Sequence, residues 1–382
     1  MKVLALGGSG GMGRFSSFAI SNYPNITKVT IADLNEDNAK EFSNLFDDRF
    51  TGIGLDVTDK EHLEKIMSDH DIVLNTTGPF FKFGLSILKS AIKCKCHYFD
   101  ICDDWEPTEE MLKLNDEALK NEITAIVGLG ASPGISNLLG LKAMNELDKT
   151  ESIITGWDVS SAKPEDESSQ KGTNAAMEHG LQQISGEIKV YKDKKYKLTK
   201  PLEKIKIHYP GRGNHNVFIF GHPEAITFPH HFNDLKESVN ACHGSNQSNI
   251  YIIKILRWLV DKKLISFKQG ASLLEWLERK IGTPNIEKQI KGLPSIYGLA
   301  RGLKDNKNAS VAVTLSEEEL SNSWGMGAIT GFPLAFGLKL LLESKINKKG
   351  VFAPEGGAIN PDDFFSLLTD CLLYTSPSPR DQ

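Results

Sequence analysis

The chain has little that would mark a stapled, membrane-spanning or nucleic-acid-binding protein. Only five cysteines occur in 382 residues, without a paired framework, so reduced thiols are expected rather than a disulfide scaffold. Cys94, Cys96, His97 and Cys102 do cluster, but C-x-C-H with a five-residue gap to the next cysteine fits no standard zinc spacing. The histidines at 208, 215, 222, 230, 231 and 243 include no H-E-x-x-H pattern, and no metal is expected. Positive charge is not in excess either. With 44 Lys and Arg against 49 Asp and Glu, the net charge is -5, which leaves no broad basic surface for a nucleic-acid partner. No apolar run reaches the ~18 residues of a membrane span. The most apolar stretch, 329–342, is broken by Pro333 and Lys339 and reads as a buried helix. The apolar run at 3–6 is too short for a signal-peptide core, so a cytosolic protein with no membrane partner is expected.

What is present is alternation. Through the first 146 residues, strand-length apolar runs (3–6, 29–32, 50–55, 71–75, 98–100, 123–127) alternate with segments of helical period (15–21, 36–46, 85–92, 107–119). Thr58 and Glu61 form a capping box for one more helix. The pattern predicts an α/β fold with a doubly wound parallel sheet, whose ligands bind outside the carboxyl ends of the strands. Beyond 146 the alternation stops. Strands are expected at 153–160, 217–220 and 295–315, a polar loop at 162–171, and helices at 173–184, 249–260 and 266–278. Eight lysines within 186–206 read as the solvated edge of a two-stranded ribbon. The organisation expected is therefore 1–146 for dinucleotide binding, an inserted second mixed α/β domain at 147–325 for substrate and dimerisation, and 326–370 returning to the first. A capping box at Ser316 to Glu319 precedes the returning helix. Residues 371–382, CLLYTSPSPRDQ, change character abruptly and read as a non-native tail.

Gly8-x-Gly10-x-x-Gly13 follows the first strand and opens a helix, with Met12 inside it and Asp33 twenty residues after Gly13. Glycines there allow a tight turn and close approach of backbone amides to a pyrophosphate, while Asp33 would accept ribose hydroxyls. NAD is expected ahead of NADP, because Leu34, Asn35, Glu36 and Asp37 supply no cation. A 2'-phosphate would have to use Lys40 or a turned Arg14. Asp56, Val57, Asn75, Thr76, Thr77, Gly78 and Pro79 follow the third and fourth strands and are further candidates for the cofactor. Asp100, Asp103 and Asp104 follow the fifth strand and Asn137 opens the helix after the sixth, which places all four to face the nicotinamide end. Asp103 or His222, in Gly221-His222-Pro223-Glu224, is a candidate proton shuttle. Asp100, Asn137 and Arg212 are candidates for binding a small-molecule substrate, with Arg301 as a second cation.

The glycine loop, Asp33, Asp56-Val57, Asn75-Thr76-Thr77-Gly78-Pro79, His97-Tyr98-Phe99-Asp100 and Ser132-Pro133-Gly134-Ile135-Ser136-Asn137 stand in the order seen in the saccharopine dehydrogenase family, which the chain resembles. Thr330-Gly331-Phe332-Pro333 and Gly350-Val351-Phe352-Ala353-Pro354-Glu355 extend the resemblance. It implies a Rossmann domain completed by the C-terminal segment, an inserted domain, a homodimer, and nicotinamide-dependent oxidoreduction of a secondary amine to an imine in an amino-acid or polyamine adduct. Two other readings compete. A noncatalytic dinucleotide-binding sensor would keep the glycines and Asp33. A short-chain dehydrogenase or epimerase would need a helical Tyr-x-x-x-Lys pair, matched in spacing by Tyr191 with Lys195 and Tyr196 with Lys200.

Overall fold

The computed structural model describes residues 1–159, 175–244, 247–281, 292–315 and 325–374. It divides into two compact units, Met1–Leu138 with Leu315–Gln382, and Leu139–Thr314. The capping box at 316–319 lies outside the described residues, as do the whole polar loop expected at 162–171 and the last eight residues of the chain.

In the first unit, strand and helix alternate as β1 (Lys2–Leu6), α1 (Gly13–Ser21), β2 (Lys28–Asp33), α2 (Glu36–Ser43), β3 (Phe50–Gly54), α3 (Lys60–Met67), β4 (Ile72–Asn75), α4 (Phe80–Lys93), β5 (His97–Asp100), α5 (Trp105–Leu112), α6 (Asn115–Lys120) and β6 (Thr124–Ile126), and α7 (Ile135–Asn145) begins in this unit and continues into the second. Val3, Leu4, Ala5 and Leu6 are each at most 1% exposed, as strands covered on both faces require. After the second unit the chain returns as α12 (Met326–Leu342), β15 (Gly350–Phe352) and α13 (Pro361–Tyr374). The sheet order is β15-β6-β5-β4-β1-β2-β3, and all its pairings are parallel. The order reverses at β1, where β4 lies on one side and β2 on the other, so the switch point of the sheet falls beside the glycine turn. Helix α12 is the expected apolar helix, and α13 runs four residues into the segment read as a tail.

Three local expectations for this unit differ from the structure, each for a physical reason. The cap of α3 is Asp59, which accepts from His62 N, because Thr58 gives both its amide and its hydroxyl to Asp56. Helix α4 begins at Phe80 rather than 85, since the Phe81 amide is met by the distant Asp104 carboxylate at 3.1 Å. A cap from another strand end leaves no local signal. The helix expected at 107–119 is broken into two. Asn115, at the break, turns its side-chain oxygen to Val351 N of β15 at 3.2 Å.

The second unit contains β7 (Lys149–Asp158), α8 (Ala175–Gln183), β8 (Ile188–Lys192), β9 (Lys195–Thr199), β10 (Lys204–Tyr209), β11 (Gly213–Ile219), α9 (Glu224–His231), β12 (Glu237–His243), α10 (Gln247–Asp261), α11 (Phe267–Ile281), β13 (Ile296–Lys304) and β14 (Lys307–Thr314). Its mixed sheet runs β10-β11-β12-β7-β13-β14, with the β8–β9 hairpin joined to β12. Among the described residues β7 and β12 are parallel neighbours and the other pairings are antiparallel. The lysine-rich run is the expected ribbon, with most of β9 exposed. Strand β12 and helix α9 have no counterpart among the expected elements. Ser238 and Asn240 make the strand look polar, yet Asn240 is buried and satisfied by Thr155 Oγ1 at 2.9 Å and Glu224 Oε1 at 3.0 Å.

Candidate functional site

The turn after β1 is built by close approach of backbone to backbone. Gly7 adopts φ +69°, its carbonyl accepts from Gly10 N at 2.9 Å, and Arg14 N reaches back to Gly10 O at 3.0 Å. A Cβ on Gly13 would lie 2.1 Å from Gly7 O and 2.6 Å from Thr76 Oγ1, so the fold itself demands glycine there. Thr76 braces the turn from β4, its hydroxyl 2.9 Å from Leu6 O and 3.0 Å from Gly7 O. Gly331 on α12 supports the turn from another side, where a Cβ would lie 2.2 Å from Met12 O.

Other glycines of the site are held less tightly by the fold, Gly10 by one close backbone contact and Gly11 and Gly78 by none. A Cβ on Gly10 would touch only Gly7 O, at 3.1 Å, and at Gly11 and Gly78 it would meet nothing within 4 Å. Their φ angles are outside the positive region. Glycine at these positions is explained by a ligand that approaches the backbone closely. Among the described residues, the amides of Ser9, Gly11, Met12 and Gly13 have no backbone acceptor, and the first turn of α1 carries no acidic side chain. Unclaimed amides at a helix start suit an anion. The residues present therefore fit a dinucleotide pyrophosphate.

Asp33 ends β2 half-buried. Its Oδ2 accepts from Ser9 Oγ at 2.7 Å and its Oδ1 from Asn35 N at 3.2 Å, which holds the carboxylate beside the glycine turn. Ser9 was not foreseen as its partner. Asp56 is exposed, and the two bonds from Thr58 hold its carboxyl below the usual carboxylate range. Val57 is half-buried in the same turn.

At the other strand ends the polar side chains point inward. Asn75 is fully buried, accepting from Thr77 N at 3.0 Å and donating to Tyr98 Oη at 2.9 Å. Tyr98 donates to Asp100 Oδ2 at 2.8 Å. The other oxygen of Asp100 accepts from Cys102 N at 3.0 Å and Gly128 N at 2.7 Å. Asp100 is 0% exposed. Burial pushes its carboxyl up to about 6 despite those bonds. Asn137 is also fully buried; its Oδ1 takes Gly134 N at 2.8 Å and its Nδ2 donates to Glu355 Oε2 at 2.7 Å. Asp100 and Asn137, expected to face a substrate, are thus held inside the unit as parts of its loop framework. Asp103 is half-buried at the end of β5. Glu355, 1% exposed, is the partner that sequence spacing could not pair with Asn137, being more than two hundred residues away.

The remaining candidates belong to the second unit. His222 is 6% exposed, with its ring stacked on Trp157 at 5.4 Å and edge-on to Phe220 at 4.7 Å. Arg212 sits in the β10–β11 turn and donates to Gly292 O at 2.7 Å. Tyr191, Lys195 and Tyr196 lie on the β8–β9 hairpin, with Tyr191 opposite Tyr196. Neither Tyr-x-x-x-Lys match is on a helix, which removes the geometry a short-chain dehydrogenase would need. In the cysteine cluster, Cys96 Sγ donates to Met67 O and His70 O, both at 3.2 Å, and His97 Nδ1 accepts from Thr124 N at 2.9 Å. Among the described residues no helix is long and apolar enough to cross a membrane.

Comparison with known proteins places these features. Residues 3–126 match the family described as saccharopine dehydrogenase NADP binding domain. The chain is 31% identical over 97 residues to saccharopine dehydrogenase (NADP+, L-glutamate-forming) of Saccharomyces cerevisiae, covering 25% of this chain and 21% of that protein. It is 30% identical over 120 residues to the enzyme of the same name from Pyricularia oryzae, covering 31% and 25%. The matched segment thus spans about a fifth to a quarter of the length of these curated relatives. The structure of apo saccharopine dehydrogenase (L-Glu forming) from S. cerevisiae shares the fold, with a TM-score of 0.58 at 17% identity over 97% of both chains. Residues 3–126 accordingly resemble the NADP-binding domain of saccharopine dehydrogenases, within a chain that shares the fold of the S. cerevisiae enzyme.

Proposed function

We propose that the protein is an oxidoreductase that oxidises a secondary amine of an amino-acid or polyamine adduct, or reduces the corresponding imine, by hydride transfer with a nicotinamide dinucleotide. The observation that carries the reading is the pair of glycines at 11 and 78, which the fold does not require, beside unclaimed amides at the start of α1. The bound cofactor supplies the hydride chemistry. This chain's own residues have simpler tasks: the glycine turn receives the pyrophosphate, Asp33 orients the adenosine ribose, and Asp103 handles one proton.

Cofactor choice sets two arguments against each other. The names of the matched family and relatives favour NADP, whereas the Asp33 carboxylate repels a 2'-phosphate and led to NAD. A cation is available if NADP binds: Arg14 Nε is buried with no hydrogen-bond partner, while Lys40 is already paired with Glu36 at 2.5 Å. Titration with NADH and NADPH, followed by a screen of amino-acid and polyamine adducts for a change in nicotinamide absorbance, tests the reading. Binding of either dinucleotide with turnover of a secondary amine is expected. Turnover of alcohols alone would overturn the amine assignment, and no binding would overturn the whole reading.

A further inference from the structure

We propose that Asp100 is a positioning residue that ties together the loops after β4, β5 and β6, so that the dinucleotide meets them as one rigid surface. The inference rests on the dinucleotide reading above, and it gives Asp100 a role other than touching substrate. Continuity of the hydrogen bonds is the argument. Thr77 N donates to Asn75, Asn75 to Tyr98, Tyr98 to Asp100, and Asp100 also receives the amides of Cys102 and Gly128. One buried carboxylate therefore reaches three strand ends that are neighbours in the sheet. Thr77 adjoins Gly78, a glycine the fold leaves open to a ligand.

The direction of these bonds depends on one proton. Ionised, Asp100 accepts from all three donors. Protonated on Oδ2, it would donate to Tyr98 Oη, which already accepts from Asn75, and the tyrosine hydrogen would lose its acceptor. The surrounding ionisable groups are Tyr98 and Cys102, both raised well above their ordinary values by burial, and Asp103 and Asp104 in the following loop. Strands β4 and β6 bring Asn75 and the Gly128 amide, and the buried faces of α4, α5 and α12 carry no ionisable side chain. Asp100, at about 6, is the group of this network that changes charge near neutrality. Its value lies above the ordinary 3.8, so its contribution to stability is full below about pH 4 and is lost as pH rises through about 6. Loop order follows the opposite trend.

The test measures NADPH and NADH affinity from pH 5 to 8 in the wild type, Asp100→Asn and Tyr98→Phe, with ADP as a probe of the adenosine and glycine-turn side without the nicotinamide half. Wild-type affinity for NADH, whose pyrophosphate does not titrate in this range, should fall about tenfold below pH 6, while ADP, whose terminal phosphate does, should follow the same pH dependence in wild type and Asp100→Asn. Asp100→Asn, which imitates the protonated form, should melt no lower at pH 7, bind dinucleotide about tenfold more weakly, and lose the pH step. In Tyr98→Phe the Thr77 amide should exchange with solvent about tenfold faster, although residue 98 does not touch it. Wild-type affinity and an unchanged pH step in Asp100→Asn would overturn the proposal. So would equal weakening of ADP, or an unchanged Thr77 exchange rate in Tyr98→Phe. A wild type that binds neither ADP nor dinucleotide would instead defeat the dinucleotide reading, while the exchange measurement would still decide the hydrogen-bond chain.

Discussion

The carboxyl ends of β1 and β2 leave backbone amides unclaimed and hold one carboxylate, Asp33, beside them. The ends of β4, β5 and β6 do the reverse, since Asn75, Tyr98, Asp100 and Asn137 spend their polar atoms on each other, on loop amides and on the buried Glu355. One half of the sheet edge is shaped for an anion, and the other holds still the loops, Gly78 among them, that the ligand would meet. This difference teaches how to read such an edge: a fully buried, hydrogen-bonded polar side chain at a strand end is a brace, and an unneeded glycine is the sign of a ligand.

Substitutions can break or sharpen that contrast. The largest effect is expected from Gly13→Val, which forces a side chain into the 2.1 Å approach to Gly7 O. It should lower stability by about 3 kcal/mol or more, seen as a fall in denaturant midpoint with no ligand present. Asn137→Leu removes the donor to the buried Glu355 carboxylate and the acceptor of Gly134 N. A loss of about 2 kcal/mol in the same measurement is expected; an unchanged midpoint would mean that the loop after β6 does not depend on this brace. Asp33→Ala sharpens the other half. It should leave stability within about 0.5 kcal/mol and shift the NADPH to NADH affinity ratio several-fold toward NADPH, because a ribose acceptor and a phosphate-repelling charge go together. A ratio that does not move would detach Asp33 from the adenosine site.

The same contrast explains what the sequence made legible. The parallel sheet, the glycine turn and Asp33 depend on residues close together in the chain and on apolar runs, which periodicity exposes. The roles of Asp100 and Asn137 depend on partners at 128 and 355, so they looked like exposed strand-end polar groups with a substrate to meet. Asp104 posed the same difficulty, because the helix it caps begins more than twenty residues earlier. In the second unit, β12 was illegible because its serine and asparagine are satisfied by distant residues once folded. The short-chain dehydrogenase reading failed for a related reason: a spacing of four suggests a helix face only if the segment is helical, and there it is a hairpin.

The most direct measurement is a titration of Gly10→Val with NADH and NADPH beside the wild type, paired with thermal melts of both proteins without ligand. A side chain at Gly10 meets only Gly7 O, at 3.1 Å, so the melting temperature should move by no more than about 4 °C. Affinity for both dinucleotides should fall by at least about tenfold, because the new side chain stands where the pyrophosphate approaches. A folded Gly10→Val that binds both as tightly as the wild type would contradict the account.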